Sequence, residues 1–207
     1  MELTYRPPAR SAPGPYHPFH IRSRVFTPAQ CRRIVDLGSR QPTDRGELLD
    51  QDDAAANQWV RDSVTAWIPR DDESEWIFTR LADVAERVNE RYGFELGGFL
   101  EDLQFTTYDR PGSHYAWHQD GLDGSVGHRK LSIVVQLSDP ADYRGGELEF
   151  LEVAEDYDDG RRSAYAERVA RQGTAIVFPA FEFHRVRPLR RGARRSLVAW
   201  VAGPPFR

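Results

Sequence analysis

The pattern of apolar and polar positions changes character near the middle of the chain. In the first half, apolar residues recur at helical spacing in two stretches, and β-branched and aromatic residues predict a strand between them. These predicted elements are the helix 27–38, the strand 59–68 and the helix 71–93. The Pro-rich lead 1–20 and the acidic stretch 41–57 predict irregular structure.

In the second half, short runs of strand-forming residues alternate with turn formers. The predicted strands are 103–108, 130–138, 146–153, 173–179, 184–189 and 196–203. The charged segment 154–172 predicts an excursion on the surface. Helices followed by antiparallel strands favour an α+β fold with a β-sandwich or jelly roll. One domain is expected, in which residues 1–94 form the lead, strand and supporting helices and residues 95–207 form the β-rich part.

Composition narrows the class of protein. The chain has 207 residues, 40% of them apolar, which suits one domain with a sizeable core. No apolar run is long enough to span a bilayer and no signal peptide is evident, so we expect a cytoplasmic protein that binds no membrane. Cys31 is the single cysteine, which excludes an intrachain disulfide and a Cys-based zinc site. A net charge of -4 disfavours a dedicated nucleic-acid binder.

Candidate chemistry centres on the triplet His118-Gln119-Asp120. On a strand, residues i and i+2 point to the same face, so this imidazole and this carboxylate can converge on one point. The triplet alone is also typical of a surface histidine beside a solvated carboxylate. His184 supplies a third ligand, because it follows an apolar strand and begins another. Two histidines and one carboxylate on one face of a metal are the signature of non-haem Fe(II) oxygenases.

A co-substrate site is predicted ten residues after His184. Strand alternation places Arg194, Ser196, Val198 and Trp200 on one face. A planar guanidinium beside a hydroxyl suits the distal carboxylate of 2-oxoglutarate. A solvated basic turn is the alternative. It explains the arginines before Arg194 better than Arg194 itself, because an apolar strand follows directly.

Three segments carry a resemblance to a known family. The segment YDRPGSHYAWHQD (108–120) resembles the metal-site segment of prolyl-4-hydroxylase-type Fe(II)/2-oxoglutarate dioxygenases. The stretches LSDPADYRGGELEF (137–150) and HRVRPLRRGARRSL (184–197) are similar to the bacterial branch of PKHD-type hydroxylases. The resemblance covers about residues 95–207. It implies that this part of the α+β chain is a distorted double-stranded β-helix.

The resemblance also implies roles for individual residues. The implied Fe(II) ligands are His118, Asp120 and His184. Arg194 would pair with the distal carboxylate of 2-oxoglutarate, assisted by Ser196, and Tyr108 would hydrogen-bond the co-substrate. Trp200 matches a pocket-wall tryptophan. Gln136 stands where family members often carry a tyrosine that helps hold the distal carboxylate, and its amide could donate a hydrogen bond instead.

Further side chains are candidates for lining the pocket, although core packing or another structural role is an alternative for several of them. They are Gln104, Thr106, Tyr115, Trp117, Ser132 and Val134. Arg61 could reach a substrate carboxylate, with a structural ion pair as the alternative. Substrate-selecting loops, which could form a lid, are expected at 41–57, 121–129 and 154–172. Acidic residues of the first loop could meet a cationic substrate, but a solvated loop is the simpler explanation.

The resemblance implies a hydroxylase that uses Fe(II), 2-oxoglutarate and O2, with ascorbate as a candidate stimulant, and releases succinate and CO2. The expected substrate is an amino-acid-like small molecule or a prolyl residue of a peptide. The small molecule is favoured because no peptide-docking domain is visible. We expect a monomer or a homodimer that binds no nucleic acid.

Three alternative functions stay open. A zinc-dependent hydrolase would use the same triad but would need neither Arg194 nor the segment around Tyr108. A non-catalytic ligand-binding jelly roll would lack a complete triad. A nucleic-acid dealkylating oxygenase would carry a second arginine six residues after the co-substrate arginine, where this chain has Trp200.

Overall fold

Helices precede a run of strands, as the sequence predicts, in a computed structural model that describes residues 16–45, 60–121 and 124–205. The helices are α1 (Pro28–Ser39), α2 (Glu75–Tyr92), α3 (Leu151–Asp156) and α4 (Asp159–Ala170). The strands before the middle of the chain are β1 (His20–Arg22), β2 (Thr43–Arg45), β3 (Arg61–Asp62), β4 (Val64–Ile68), β5 (Gly98–Phe99) and β6 (Leu103–Tyr108). The later strands are β7 (His114–His118), β8 (Arg129–Gln136), β9 (Tyr143–Gly145), β10 (Leu148–Phe150), β11 (Ala175–Pro179), β12 (His184–Val186), β13 (Leu189–Gly192) and β14 (Arg194–Ala202).

The described strands form three sheets, of which the two larger enclose a cavity and the third consists of β9 and β13 alone. The larger sheet has the order β1-β11-β8-β14-β6-β4-β2, and β5 pairs with β14. The smaller sheet has the order β10-β12-β7-β3, and β13 pairs with β9. The pairs are antiparallel, and residues of both sheets line the cavity. The predicted α+β fold with a jelly roll is therefore confirmed.

Helices α1 and α2 cover the outer face of the larger sheet. Thr27 caps α1 in a reciprocal capping box with Gln30. Cys31, Ile34 and Leu37 on α1 are buried, and they pack in one cluster with apolar residues of α2 and of the sheet. α2 ends at Gly93, whose φ of 69° is the left-handed conformation that favours glycine. Both predicted helices are confirmed.

Strand β14 separates this core from the cavity. Leu197, Ala199 and Val201 point into the cluster beneath the helices. Arg194 and Ser196, which alternate with them, line the cavity. The two-residue repeat of the strand therefore gives one face to packing and the other to polar groups.

Four sequence predictions about elements need correction. Residues 43–45 form strand β2 rather than loop, because they pair with β4 at the sheet edge. The predicted strand 146–153 ends at Phe150, and α3 begins at the next residue. The charged segment 154–172 contains α4, which packs on the core through buried Tyr165 and Val169. Strand β7 was not among the strands predicted in the second half.

Residues of the first half contribute to the same sheet as those of the second. Strands β1, β2 and β4 lie in the larger sheet beside β6, β8, β11 and β14. A division of the chain at residue 94 stays a prediction. Most of the lead and of the acidic stretch, residues 1–15 and 46–57, lie outside the described residues. Among the described helices, none combines the length and the apolar character that crossing a membrane requires.

Candidate active site

Three side chains with metal-ligating atoms meet where strands β7 and β12 lie side by side. His118 ends β7, His184 begins β12, and the two residues are paired in register. Asp120 lies two residues beyond the end of β7. Its backbone N–H donates to the carbonyl of Ala180 at 2.9 Å, which fixes the bend. One ligand atom from each of the three residues lies within 4.8 Å of the other two. The predicted triad is thus brought together, although Asp120 is not itself in the strand.

Hydrogen bonds orient both imidazoles for metal binding. Nδ1 of His118 lies 2.8 Å from the carbonyl of Ala116, and Nδ1 of His184 lies 2.9 Å from the carbonyl of Glu182. A carbonyl can only accept, so each Nδ1 carries the hydrogen and each Nε2 presents a lone pair. The two Nε2 atoms lie 3.6 Å and 3.8 Å from the carboxylate oxygens of Asp120.

The Asp120 carboxylate is held ionised within the site. Burial acts to raise its pKa, but His184, His118 and the Ser132 hydroxyl outweigh burial and hold the pKa well below its usual range. Ser132 Oγ donates to Asp120 Oδ2 at 2.6 Å. Burial and the nearby His118 lower the pKa of His184 to about 4. At neutral pH the site therefore offers an ionised carboxylate and a neutral His184, as a divalent metal requires.

The donor set suits Fe(II). Two imidazoles and one carboxylate form a facial triad, which leaves the opposite face of a bound ion open for other ligands. The same donors occur in catalytic zinc sites, so the triad alone does not choose between the two metals. The surrounding cavity decides between them.

The triad lies in a cavity of about 630 Å³ between the two sheets, called the main cavity below. Residues expected at the site that line it are Arg61, Gln104, Thr106, Tyr108, Tyr115, Val134, Arg194, Ser196 and Trp200. From the expected loop 121–129, Ser125, Val126 and His128 also line it. Trp117 does not line the cavity, because its ring packs against Arg185, whose guanidinium lies 4.5 Å from the ring centroid.

Arg194 presents an unused hydrogen-bond donor inside the protein. Arg194 is only 2% exposed, and its Nη1 atom has no hydrogen-bond partner among the described residues. The guanidinium carbon lies 5.4 Å from the centroid of the Tyr108 ring on the neighbouring strand. Buried cationic donors are seldom left unpaired. A ligand carboxylate would satisfy this one, so the residues present fit the acid end of 2-oxoglutarate.

Gln136 contacts Tyr143, which in turn lies beside Arg194. It does not line the main cavity; instead its Nε2 donates to the Tyr143 hydroxyl at 2.9 Å. Arg194 lies close enough to this hydroxyl for its positive charge to lower the pKa of the phenol, against the larger effect of burial, which raises it. Tyr143 and Arg194 both line a smaller cavity of about 230 Å³ that adjoins the main one. A tyrosine hydroxyl therefore lies beside Arg194, but it comes from β9 and not from position 136.

Sequence reasoning missed Tyr143 and Glu101. The turn between β8 and β9 has no periodic signal that would predict which side chain returns to Arg194. Glu101 lines the main cavity and accepts from Arg129 Nε at 2.8 Å. An acidic residue between two strands carries no pattern that would indicate such a pairing.

Fold and site together define a class of protein, the non-haem Fe(II) oxygenases that use an organic acid as co-substrate. Residues 103–202 match the 2OG-Fe(II) oxygenase superfamily. A PKHD-type hydroxylase of Synechococcus sp. strain CC9311 is 30% identical over 194 residues, which cover 88% of this chain and 77% of that protein. The chain belongs to this superfamily and is of its PKHD type.

Other relatives match over shorter stretches. A PKHD-type hydroxylase of Synechococcus sp. strain CC9902 is 34% identical over 90 residues, which span 44% of this chain and 36% of that protein. Among solved structures, a viral collagen prolyl hydroxylase from Paramecium Bursaria Chlorella virus-1, in complex with 2-oxoglutarate, superposes with a TM-score of 0.64. It is 19% identical over 91% of this chain and 97% of its own, which shows a shared fold.

Proposed function

We propose that this protein is an Fe(II)- and 2-oxoglutarate-dependent dioxygenase. It hydroxylates an unactivated C–H bond, in an amino-acid-like small molecule or a prolyl-type residue, and releases succinate and CO2. One observation carries the proposal: the His118, Asp120 and His184 triad shares a cavity with the buried guanidinium of Arg194, whose Nη1 has no hydrogen-bond partner in the described part of the chain. A zinc hydrolase would need the triad but would have no use for that arginine.

Each part of the site has a distinct task. His118, Asp120 and His184 would hold Fe(II), and Arg194 would bind the distal carboxylate of 2-oxoglutarate with Ser196 beside it. Together, bound iron and 2-oxoglutarate supply the oxidising chemistry with O2.

The cavity wall completes the co-substrate site. Burial raises the pKa of the Tyr108 phenol, although Arg61 and Arg194 oppose the shift, so its hydroxyl stays protonated and can donate to a bound acid. Tyr115 stacks on the His118 imidazole, with ring centroids 3.5 Å apart, and shields that face of the ligand from water.

The test measures succinate release in the presence of Fe(II), 2-oxoglutarate and O2. His118→Ala and Asp120→Ala should each abolish both succinate release and stoichiometric Fe(II) binding, because each removes a ligand. His114→Ala is the matched control, since His114 lies on the same strand but does not line the main cavity. Succinate release that survives in either triad variant would contradict the proposal. Activity with zinc alone, without 2-oxoglutarate, would favour the hydrolase.

A further inference from the structure

Arg61 is a buried cation of the main cavity that the proposed co-substrate chemistry does not use. Its residue is 9% exposed. Nε donates to Ser63 Oγ at 2.9 Å, and Nη2 donates to Gln104 Oε1 at 2.9 Å. The guanidinium carbon lies 4.6 Å from the centroid of the Tyr115 ring. These neutral groups hold the guanidinium in place without neutralising its charge.

The alternative of a structural ion pair finds no support in the described part of the chain. The adjacent carboxylate, Asp62, pairs with Arg110 instead. Another arginine that lines the cavity, Arg129, is paired with Glu101. Within the described residues no carboxylate lies within 4 Å of Arg61, and its Nη1 donates no hydrogen bond there.

The charges of the loaded site point to an anionic substrate. The two positive charges of Fe(II) and that of Arg194 are balanced by Asp120 and by the two carboxylates of 2-oxoglutarate. Glu101 balances Arg129. Within the part of the chain that the structure describes, Arg61 is then left with an unbalanced positive charge in a largely desolvated place, which an incoming carboxylate would compensate.

Arg61 also lies close enough to the proposed metal site for a substrate bound to it to reach that site. The Tyr115 ring contacts both its guanidinium and the His118 imidazole. A carboxylate bound to Arg61 would therefore lie near the metal without competing for it. The volume of the main cavity, about 630 Å³, is in the range of small-molecule sites.

We infer that Arg61 binds the carboxylate of the substrate, which is therefore a free amino or imino acid. This inference rests on the proposed dioxygenase function and narrows its substrate class. An internal prolyl residue does not fit, because its carboxyl group is an uncharged amide that cannot balance the guanidinium. The planar fork of Arg61, with Nη1 still available, suits a carboxylate.

The first experiment compares acids with their amides. The iron-loaded protein is given 2-oxoglutarate, O2 and a panel of free amino and imino acids, each beside its carboxamide, together with proline-containing peptides. At least one free acid should stimulate succinate release, and its carboxamide should do so at least about 50-fold less efficiently. Stimulation by no acid, equal stimulation by acid and amide, or stimulation by the peptides alone would overturn the inference.

A separate measurement, succinate release in the absence of any substrate, tests the proposed dioxygenase function. Slow succinate release without any substrate, dependent on both iron and 2-oxoglutarate, would leave the dioxygenase assignment standing even if the substrate class were wrong. Absence of 2-oxoglutarate binding and of succinate release under all conditions would remove the proposed function itself.

The second experiment assigns the effect to Arg61. Arg61→Gln should raise KM for the stimulating acid by about 100-fold and reduce the acid-to-amide preference to within about threefold. Arg61→Lys should recover part of the preference because it keeps the charge. Arg110→Gln, which removes a nearby arginine outside the cavity, is the control. An acid-to-amide preference that persists in Arg61→Gln would contradict the assignment. Calorimetric titration of 2-oxoglutarate into each variant shows whether the substitution has also damaged the co-substrate site.

Discussion

The Tyr143 hydroxyl should govern the affinity for 2-oxoglutarate. It accepts a hydrogen bond from Gln136 Nε2 at 2.9 Å and lines the smaller cavity together with Arg194. Burial raises its pKa, against the opposing effect of Arg194, so the phenol keeps its own hydrogen. That hydrogen could be donated to the carboxylate that Arg194 is proposed to bind. Tyr143→Phe removes this donor and leaves the rest of the side chain in place.

The size of the effect follows from the charges involved. A hydrogen bond to a charged group contributes about 1.5–3 kcal/mol, so losing one to the distal carboxylate should weaken 2-oxoglutarate binding by about 10- to 150-fold. Gln136→Met keeps the hydroxyl but removes its neutral anchor. A neutral hydrogen bond contributes about 1 kcal/mol, so that variant should weaken binding by about fivefold.

The assay is calorimetric titration of 2-oxoglutarate into the iron-loaded protein without oxygen. Tyr92→Phe is the matched control, because the Tyr92 hydroxyl donates to the backbone carbonyl of His17, away from the cavity. Thermal unfolding checks that each variant is folded. A change in Kd of less than twofold in a folded Tyr143→Phe protein would refute the reasoning, as would an equal change in Tyr92→Phe.

Three further predictions follow from single contacts. Ser132→Ala should weaken Fe(II) binding by about 10- to 100-fold, measured by competition with a chelator, because the hydroxyl that orients Asp120 is lost. Gly38→Ala should lower the free energy of unfolding by about 1–3 kcal/mol in denaturant titrations, because a methyl group would overlap the Phe105 ring. Metal-free protein should lose stability as pH falls from about 6.5 towards about 4. Burial and His118 lower the pKa of His184 to about 4 in the folded state, so the unfolded chain takes up the proton first. A pH dependence of stability that is unchanged in His184→Gln would contradict this.

Sequence patterns predicted elements in which strand-forming or helix-forming residues are largely buried. Strand β6 lies at the predicted residues 103–108, because its residues pack between two neighbouring strands. Helix α4 was missed, since only Tyr165 and Val169 are buried on an otherwise charged helix. Strand β7 has no fully buried residue and so gives no alternating apolar signal.

The metal ligands could be predicted from the sequence, because a metal site of this kind requires particular residue types. The chain has only six histidines, so the triad could be proposed from their order and from the spacing of His118 and Asp120. Partners that orient the ligands were not predictable as such. Ser132 was expected to line the pocket but bonds to Asp120, and Tyr143 reaches Arg194 by way of a turn. Such contacts depend on how strands pair, which a single sequence does not contain.

The register of strand β14 determines both the packing of the core and the lining of the cavity. A shift of β14 by one residue would exchange the side chains that face the helices with those that face the cavity, including Arg194. Gly192, just before β14, has a φ of 78°, and a side chain there would overlap the backbone carbonyl of Asp142. Gly192 also pairs with Tyr143 across β13 and β9. The turn that sets the register of β14 therefore also brings Tyr143 to Arg194, so a larger residue at 192 should disturb co-substrate binding and packing together.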